Sequence, residues 1–150
     1  MGDVRIVNII PYKIFPANMG GEKGIALFNE YLGKLVHLVA IGTYKNEWSG
    51  KHSFDFKKML PNSQLRYINP LLYFRIRKVL REEKATHLMT EHPYYGWLLW
   101  LIRLGTGVKT VIHSHNIEYQ RSRSIGLLSR ERPVRGVPHH SSSRTSPRNS

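Results

Sequence analysis

Three segments of this sequence carry the side chains best suited to chemistry, and each follows an apolar run. They are residues 20–24 (GGEKG), 91–96 (EHPYYG) and 113–119 (HSHNIEY). The first offers exposed backbone N–H groups, the second aromatic rings beside a histidine, and the third two histidines and a carboxylate. These groups suit the binding of phosphates and sugars. The chain has no cysteine, which excludes a thiolate nucleophile, a thiolate metal site and a disulfide scaffold.

The glycine segment predicts a close approach of backbone to ligand. Gly20 and Gly21 lack a Cβ, and N–H groups at the start of a helix attract phosphate. A plain turn is the alternative interpretation. The glycine spacing is not G-x-G-x-x-G, and no acidic residue follows the apolar run at 35–41, which argues against a nicotinamide cofactor. No G-K-[ST] occurs, which argues against a Walker loop.

The histidines suggest contacts to a hydroxylated ligand. His92 and Tyr94 can stack on a sugar or hydrogen-bond to it, or they can simply pack a loop. His113 or His115, at a strand end, can orient a hydroxyl group or accept its proton, because histidine titrates near neutrality. A structural histidine bonded to backbone is the alternative. Two histidines at i, i+2 do not make a metal site, and we expect no metal.

The apolar pattern alternates between strand-like runs and amphipathic stretches. It predicts strands over residues 4–10, 35–41, 65–68, 86–90 and 109–113, and helices beginning near Glu22, at Asn69-Pro70 and at Tyr94. The stretch 44–62 gives no clear pattern. The alternation predicts an α/β fold with a Rossmann-like, doubly wound parallel sheet. Ligands bind beyond the carboxyl ends of such strands, where the three segments above are expected.

The first helix should bury a stripe of residues at helical spacing. Ile25, Phe28 and Leu32 form this stripe, Tyr31 and Leu35 widen it, and Gly33 is expected to end the helix. The helix at 94–104 is apolar nearly all round. This pattern is compatible with two interpretations, a helix buried in the core and a helix at a membrane interface.

Charge is unevenly distributed along the chain. The whole sequence has 23 Lys and Arg against 10 Asp and Glu, a formal charge of +13. After Gly126, lysine, aromatic residues and periodicity disappear together, so residues 127–150 are predicted to be a disordered Ser/Arg/Pro-rich tail. One interpretation is a basic tail that touches nucleic acid or an anionic membrane. The other is that these residues do not belong to the fold.

The basic residues of the segment 1–126 also indicate which partners are favoured. Its basic residues are interspersed, and no nucleic-acid-binding motif appears, so nucleic acid is the less favoured partner. An anionic membrane surface or a phosphorylated substrate explains the charge as easily. No secretory signal or membrane-spanning run is apparent. We expect a cytoplasmic protein, with peripheral attachment to the inner face of the membrane left open.

The combination of segments resembles the N-terminal half of a family 4 glycosyltransferase with the GT-B fold. The matching pieces are VRIVNII, MGGEKGIALFNEYL, TEHPYYGWLLWLIR and VKTVIHSHNIEYQRSRSIG, in that order over residues 1–126. In this family two Rossmann-like domains face each other across a cleft. The N-terminal domain mainly holds the acceptor, and the C-terminal domain holds the nucleotide-sugar. Sugars are transferred with retention, with no cofactor and usually no metal.

The resemblance assigns roles only to matching positions. Gly20 and Gly21 correspond to the loop that approaches the donor diphosphate, and His115 to the histidine that contacts the transferred sugar, with His113 as a competitor. The positions expected at the acceptor or along the cleft are Lys23, His92, Tyr94, Asn116 and Glu118.

The C-terminal domain of the family is absent from this sequence, so the chain looks truncated and is expected to be inactive alone. The resemblance then implies part of an enzyme of bacterial polysaccharide or glycolipid assembly. Two other functions stay open: a non-catalytic Rossmann-like module that binds a small phosphorylated ligand, and a basic protein that binds nucleic acid or a membrane surface.

Overall fold

A parallel five-stranded sheet forms the centre of the fold. The computed structural model describes residues 3–114, all of which belong to one compact unit, Met1–His115. The strands are β1 (Arg5–Ile10), β2 (His37–Thr43), β3 (Asp55–Leu60), β4 (His87–Glu91) and β5 (Lys109–His113). Their order across the sheet is β3-β2-β1-β4-β5, and every neighbouring pair is parallel. The predicted doubly wound α/β class is confirmed.

Three helices flank this sheet: α1 (Gly20–Leu35), α2 (Leu71–Glu82) and α3 (Gly96–Gly105). Single 3₁₀ turns precede α2 and α3. The helix predicted to start at Asn69-Pro70 begins one residue later than expected, at Leu71, with Pro70 at the N-cap position. Asn69 Oδ1 accepts a hydrogen bond from the N–H of Leu71 at 3.0 Å.

Alternation along the strands divides the core between the two faces of the sheet. Val7 and Ile9 of β1 pack with α2 and α3 on one face. Ile10 packs on the other face, where Ile25 of α1 belongs to the same cluster. Because successive side chains of a strand point to opposite faces, the continuous apolar run of β1 serves both layers. The sheet is therefore covered on both sides, as a parallel sheet requires.

The strand predicted over residues 65–68 is wrong. A 3₁₀ turn, Gln64–Tyr67, occupies this position, and Ser63 Oγ accepts a hydrogen bond from the N–H of Leu65 at 3.2 Å. Leu65 and Ile68 are 68% and 71% exposed, so the apolar side chains that suggested a strand lie at the surface. The third strand instead lies in the stretch whose pattern was unclear, at Asp55–Leu60.

Helix α1 continues past the glycine that was expected to end it. Gly33 lies within the helix, and a Cβ there would come 2.5 Å from the carbonyl oxygen of Ser53, so close packing explains this glycine. Leu35 belongs to α1 and is 80% exposed, which also moves the start of β2 to His37. Tyr31 is 59% exposed, so the predicted widening of the apolar stripe is wrong.

The apolar helix α3 has one buried face and one uncovered face. Leu98, Leu99 and Ile102 are buried in the core, whereas Trp100 is 62% and Leu104 67% exposed. Among residues 3–114, no helix is long and apolar enough to cross a membrane. The predicted tail over 127–150 and its boundary at 126 lie outside the described residues.

Candidate functional site

The strand order reverses between β1 and β4. From β1 the chain builds outward through β2 to β3, and it then returns to place β4 and β5 on the other side of β1. The crossovers leave β1 and β4 in opposite directions, and in open α/β sheets ligands bind beyond the carboxyl ends of the strands at such a point. This edge of the sheet is the expected ligand site of the fold.

A buried polar network joins β1 and β4 on either side of this reversal. Asn8 of β1 donates from Nδ2 to Oε1 of Glu91 at 2.9 Å and to Oδ1 of Asn29 at 2.8 Å. Asn29 in turn donates to the carbonyl of Ile25, one turn earlier in α1. Asn8, Asn29 and Glu91 are fully buried. Burial of polar groups is costly unless they are hydrogen-bonded, so this network ties α1, β1 and β4 together at one point.

His113 extends the network to the surface. Its Nδ1 lies 2.9 Å from Oε2 of Glu91, and its ring packs on Phe28 of α1 at a tilt of 30°, with centroids 4.1 Å apart. The side chain is 30% exposed. A carboxylate that accepts the Nδ1 proton fixes the ring orientation and makes Nε2 the basic nitrogen of the neutral ring. Glu91 therefore sets both the direction and the tautomer of His113.

His92 adopts a backbone conformation rare for a residue with a side chain. Its φ is +72°, and the residue is buried. Its N–H donates to the carbonyl of His113 at 2.9 Å. Its ring meets Tyr12 edge-on at 5.5 Å and stacks with Tyr94 at 5.8 Å between centroids. Such strained residues cluster at functional sites, and this one lies directly beyond the end of β4.

The glycine turn opens α1 at the same edge of the sheet. Gly20 and Gly21 are the first two helical residues, both are exposed, and a Cβ added to either would meet no atom within 4 Å. Glu22 accepts hydrogen bonds from the N–H groups of Asn18 and Met19 at 2.8 and 3.0 Å, which lowers the pKa of its carboxyl group. The first N–H groups of any helix lack intrahelical partners, and at this end they favour anions.

Asn46 fixes the loop that leads from β1 to the glycine turn. Its Oδ1 accepts hydrogen bonds from the N–H groups of Ile14 and Phe15 at 2.7 and 3.0 Å. Its Nδ2 donates to the carbonyls of Tyr12 and Thr43, each at 3.1 Å. One buried amide thus anchors the loop to the end of β2 and positions the start of α1.

The remaining predicted site residues have different outcomes. Lys23 is exposed in the first turns of α1, and Tyr94 is 45% exposed beside His92. His115, Asn116 and Glu118 lie outside the described residues. No three His, Asp or Glu side chains between residues 3 and 114 group where they could hold a metal ion.

Sequence reasoning missed Asn8, Asn29 and Asn46. A signal for the first existed: Asn8 is the one polar residue in the otherwise apolar stretch from Ile6 to Ile10. Asn29 lies four residues after Ile25, on the face that packs against the sheet. Buried asparagines on both elements predict a hydrogen bond between them, once the helix is known to cover that strand.

The fold and site define a Rossmann-like domain with a buried polar network at its strand-order reversal. A sucrose-phosphate synthase from Thermosynechococcus elongatus has a similar structure, with a TM-score of 0.59 and 12% sequence identity. The similarity covers 79% of this chain and 35% of the synthase chain, so this chain spans about a third of that protein. At this identity the likeness shows a shared fold. No protein-family model and no curated protein sequence matches the chain.

Proposed function

We propose that this chain is the acceptor-side, N-terminal part of a family 4 GT-B glycosyltransferase, which moves a sugar from a nucleotide-sugar to a glycan or lipid-linked acceptor. Two independent lines support the proposal. The sequence segments resemble that family in their combination and order, and the fold is similar to part of sucrose-phosphate synthase, which is itself a GT-B glycosyltransferase.

The observation that carries the proposal is the Glu91–His113 pair at the carboxyl ends of β4 and β5, next to the strand-order reversal. A fully buried carboxylate holds an imidazole whose side chain is partly exposed at the sheet edge where ligands of this fold bind. An imidazole held in this way can accept a proton from a sugar hydroxyl or hydrogen-bond to it in the transition state. The strained His92 backbone beside the pair is a second feature typical of a working site.

Each proposed role follows from the chemistry of its residue. Gly20 and Gly21 let the donor diphosphate approach the first N–H groups of α1. The resemblance gives the contact to the transferred sugar to His115, while the contact with Glu91 favours His113 for the same role. The nucleotide-sugar is a co-substrate, and no cofactor or metal takes part in the proposed reaction.

A non-catalytic module that binds a small phosphorylated ligand is the second candidate. The open glycine turn favours it, because anion binding needs only the start of α1. On this alternative, His113 and Glu91 are structural.

The experiment that separates the two is a transfer assay on the product of the complete reading frame that contains these residues. Nucleotide-sugars carrying uridine, guanosine and adenosine diphosphate are tested with saccharide and lipid-linked acceptors. Glycosyl product is expected, with turnover reduced at least tenfold by His113→Ala or by His115→Ala, according to which histidine contacts the sugar. Binding of nucleotide-sugars without product from any acceptor would instead support the binding module.

A further inference from the structure

A pocket on the outer side of α1 shares no residue with the Glu91–His113 pair or with the buried asparagine network. It has a volume of about 460 Å³, within the range of small-molecule sites. It opens beside the first turns of α1 and extends to the segment before β3. The side chains that line it are Phe15, Ala17, Lys23, Ala26, Leu27, Glu30, Lys51 and His52.

The apolar part of this pocket has a well-packed support. Phe15 contacts Trp48 at 5.0 Å and Phe56 at 5.9 Å between ring centroids, both edge-on. His52 stacks on Trp48 at 4.2 Å. Leu27 lines the same pocket and is 56% exposed, so the pocket presents apolar surface to solvent beside these packed rings. An apolar ligand group would bury this surface with little cost in side-chain ordering.

The charged groups of the pocket are unbalanced. Within residues 3–114, the ammonium groups of Lys23 and Lys51 make no ion pair and no hydrogen bond. The carboxylate of Glu30 is engaged: one oxygen accepts the N–H of Ser53 at 3.1 Å, and the other lies 3.2 Å from Nδ1 of His52. The pocket therefore holds two cations that make no ion pair and one carboxylate whose oxygens are already hydrogen-bonded, beside an apolar surface. The excess of positive charge over this surface is complementary to an anion with an apolar body.

We propose that this pocket binds an anionic amphiphile, a phosphate monoester with an apolar body. The apolar body lies on Ala26, Leu27 and Phe15, and the phosphate is met by the ammonium groups of Lys23 and Lys51. Lys23 follows Gly20 and Gly21 within one turn of α1, so the ligand lies next to the glycine turn. That this ligand is the acceptor of sugar transfer rests on the proposed function, whereas its binding does not.

The test is a calorimetric titration of the full 150-residue chain with octyl phosphate, in parallel with 1-octanol and inorganic phosphate. Octyl phosphate is expected to bind at least tenfold more tightly than either comparison compound. The reason is that 1-octanol lacks the phosphate group and inorganic phosphate lacks the apolar body. The doubly substituted K23M/K51M variant keeps the apolar stems and is expected to lose at least tenfold in affinity. Leu27→Ser, at an exposed position, is expected to weaken the binding of octyl phosphate and to leave the binding of inorganic phosphate unchanged.

Lys34→Met is the matched control. Lys34 is on the same helix, eleven residues or about 16 Å further along the axis, and it lies over the ring of Tyr31 at 5.0 Å. Equal weakening by Lys34→Met would show a general charge effect and overturn the pocket. Vesicles of anionic phospholipid are titrated in parallel. Absence of octyl phosphate binding, or binding to the vesicles alone, would overturn the pocket as well. These outcomes concern binding alone, so they are distinguishable from a failure of sugar transfer.

Discussion

Glu91 and His113 are opposite each other in register at the carboxyl ends of β4 and β5, and Oε2 of the first lies 2.9 Å from Nδ1 of the second. The same carboxylate accepts a hydrogen bond from Asn8 through its other oxygen. Both oxygens are thereby engaged, and the carboxylate has no room to turn away from the imidazole. The orientation of His113 is thus built into the sheet rather than left to a loop.

Glu91→Gln is expected to reverse the tautomer of His113. The Gln amide can keep the hydrogen bond from Asn8 through its oxygen, and its NH₂ group then faces Nδ1. Nδ1 must become an acceptor, so the proton of the neutral ring moves to Nε2. Nitrogen-15 NMR of the ring is expected to show an Nδ1–H tautomer in the wild-type chain and an Nε2–H tautomer in the variant.

Glu82→Gln serves as the control, because Glu82 is half exposed and pairs with Lys78 at 3.8 Å on the surface of α2. It should leave the His113 resonances unchanged. An Nε2–H tautomer already present in the wild-type chain would contradict the proposed orientation of this pair.

Asn46→Ala is expected to lower the free energy of unfolding by about 2 kcal/mol, because it leaves buried N–H and C=O groups of the loop without partners. Asn62→Ala is the comparison. Asn62 is exposed, and its side chain accepts one hydrogen bond, from the N–H of Lys45 at 3.1 Å. Urea unfolding measures both. An equal and small loss in the two variants would mean that the loop is held by other contacts.

The sequence predicted the sheet better than the site because the two depend on different information. The β1 run is apolar on both faces, and this local pattern alone indicates a central strand of a parallel sheet. Asn46 has no such pattern, because its partners Tyr12 and Ile14 are more than thirty residues away in sequence. The strand Asp55–Leu60 was also missed, since it lies at the edge of the sheet and is only partly buried.

The apolar face predicted for α1 also depends on information that the local sequence does not contain. Tyr31 and Leu35 fit the spacing of the apolar stripe, yet both are exposed, whereas the polar Asn29 is fully buried. Periodicity indicates which residues share a helix face. Periodicity does not indicate how much of that face the neighbouring sheet covers. It also does not indicate that the side-chain amide of Asn8 lies on the sheet where it can donate a hydrogen bond to Asn29.

Glu83→Gln is expected to make stability less dependent on pH. Glu83 pairs with Lys57 at 2.6 Å and with His37 at 3.1 Å. The hydrogen bond from Lys57 lowers the pKa of Glu83 most, burial opposes this, and His37 lowers it further. Since the folded-state pKa is lower than the unfolded one, the pair stabilises the fold above the ordinary carboxyl pKa, and this stability is lost as pH falls through the folded-state value.

The variant should therefore be less stable than the wild-type chain by about 1 kcal/mol at about pH 7, and the difference should narrow as the pH falls below about 4. Urea unfolding across this range provides the measurement. A difference that stays constant with pH would show that Glu83 acts through packing and not through its charge.

Substitution of two glycines of α1 is expected to have opposite effects on stability. Gly21→Ala adds a Cβ in open space at a helical position, so the free energy of unfolding should stay constant or rise by up to about 1 kcal/mol. Gly33→Ala adds a Cβ 2.5 Å from the carbonyl oxygen of Ser53, and the backbone must move, at a cost of about 1–3 kcal/mol. Thermal unfolding of the two variants side by side measures the contrast.

The result at Gly21 also bears on function. If neither the local backbone nor any neighbour requires a glycine at this position, a ligand that approaches the turn is the remaining group that a Cβ would obstruct. Gly21→Val should then weaken the binding of nucleotide-sugar by tenfold or more in the product of the complete reading frame, while the melting temperature changes little. Unchanged binding together with a clear loss of stability would make Gly21 a turn residue and remove the glycine turn from the proposed site.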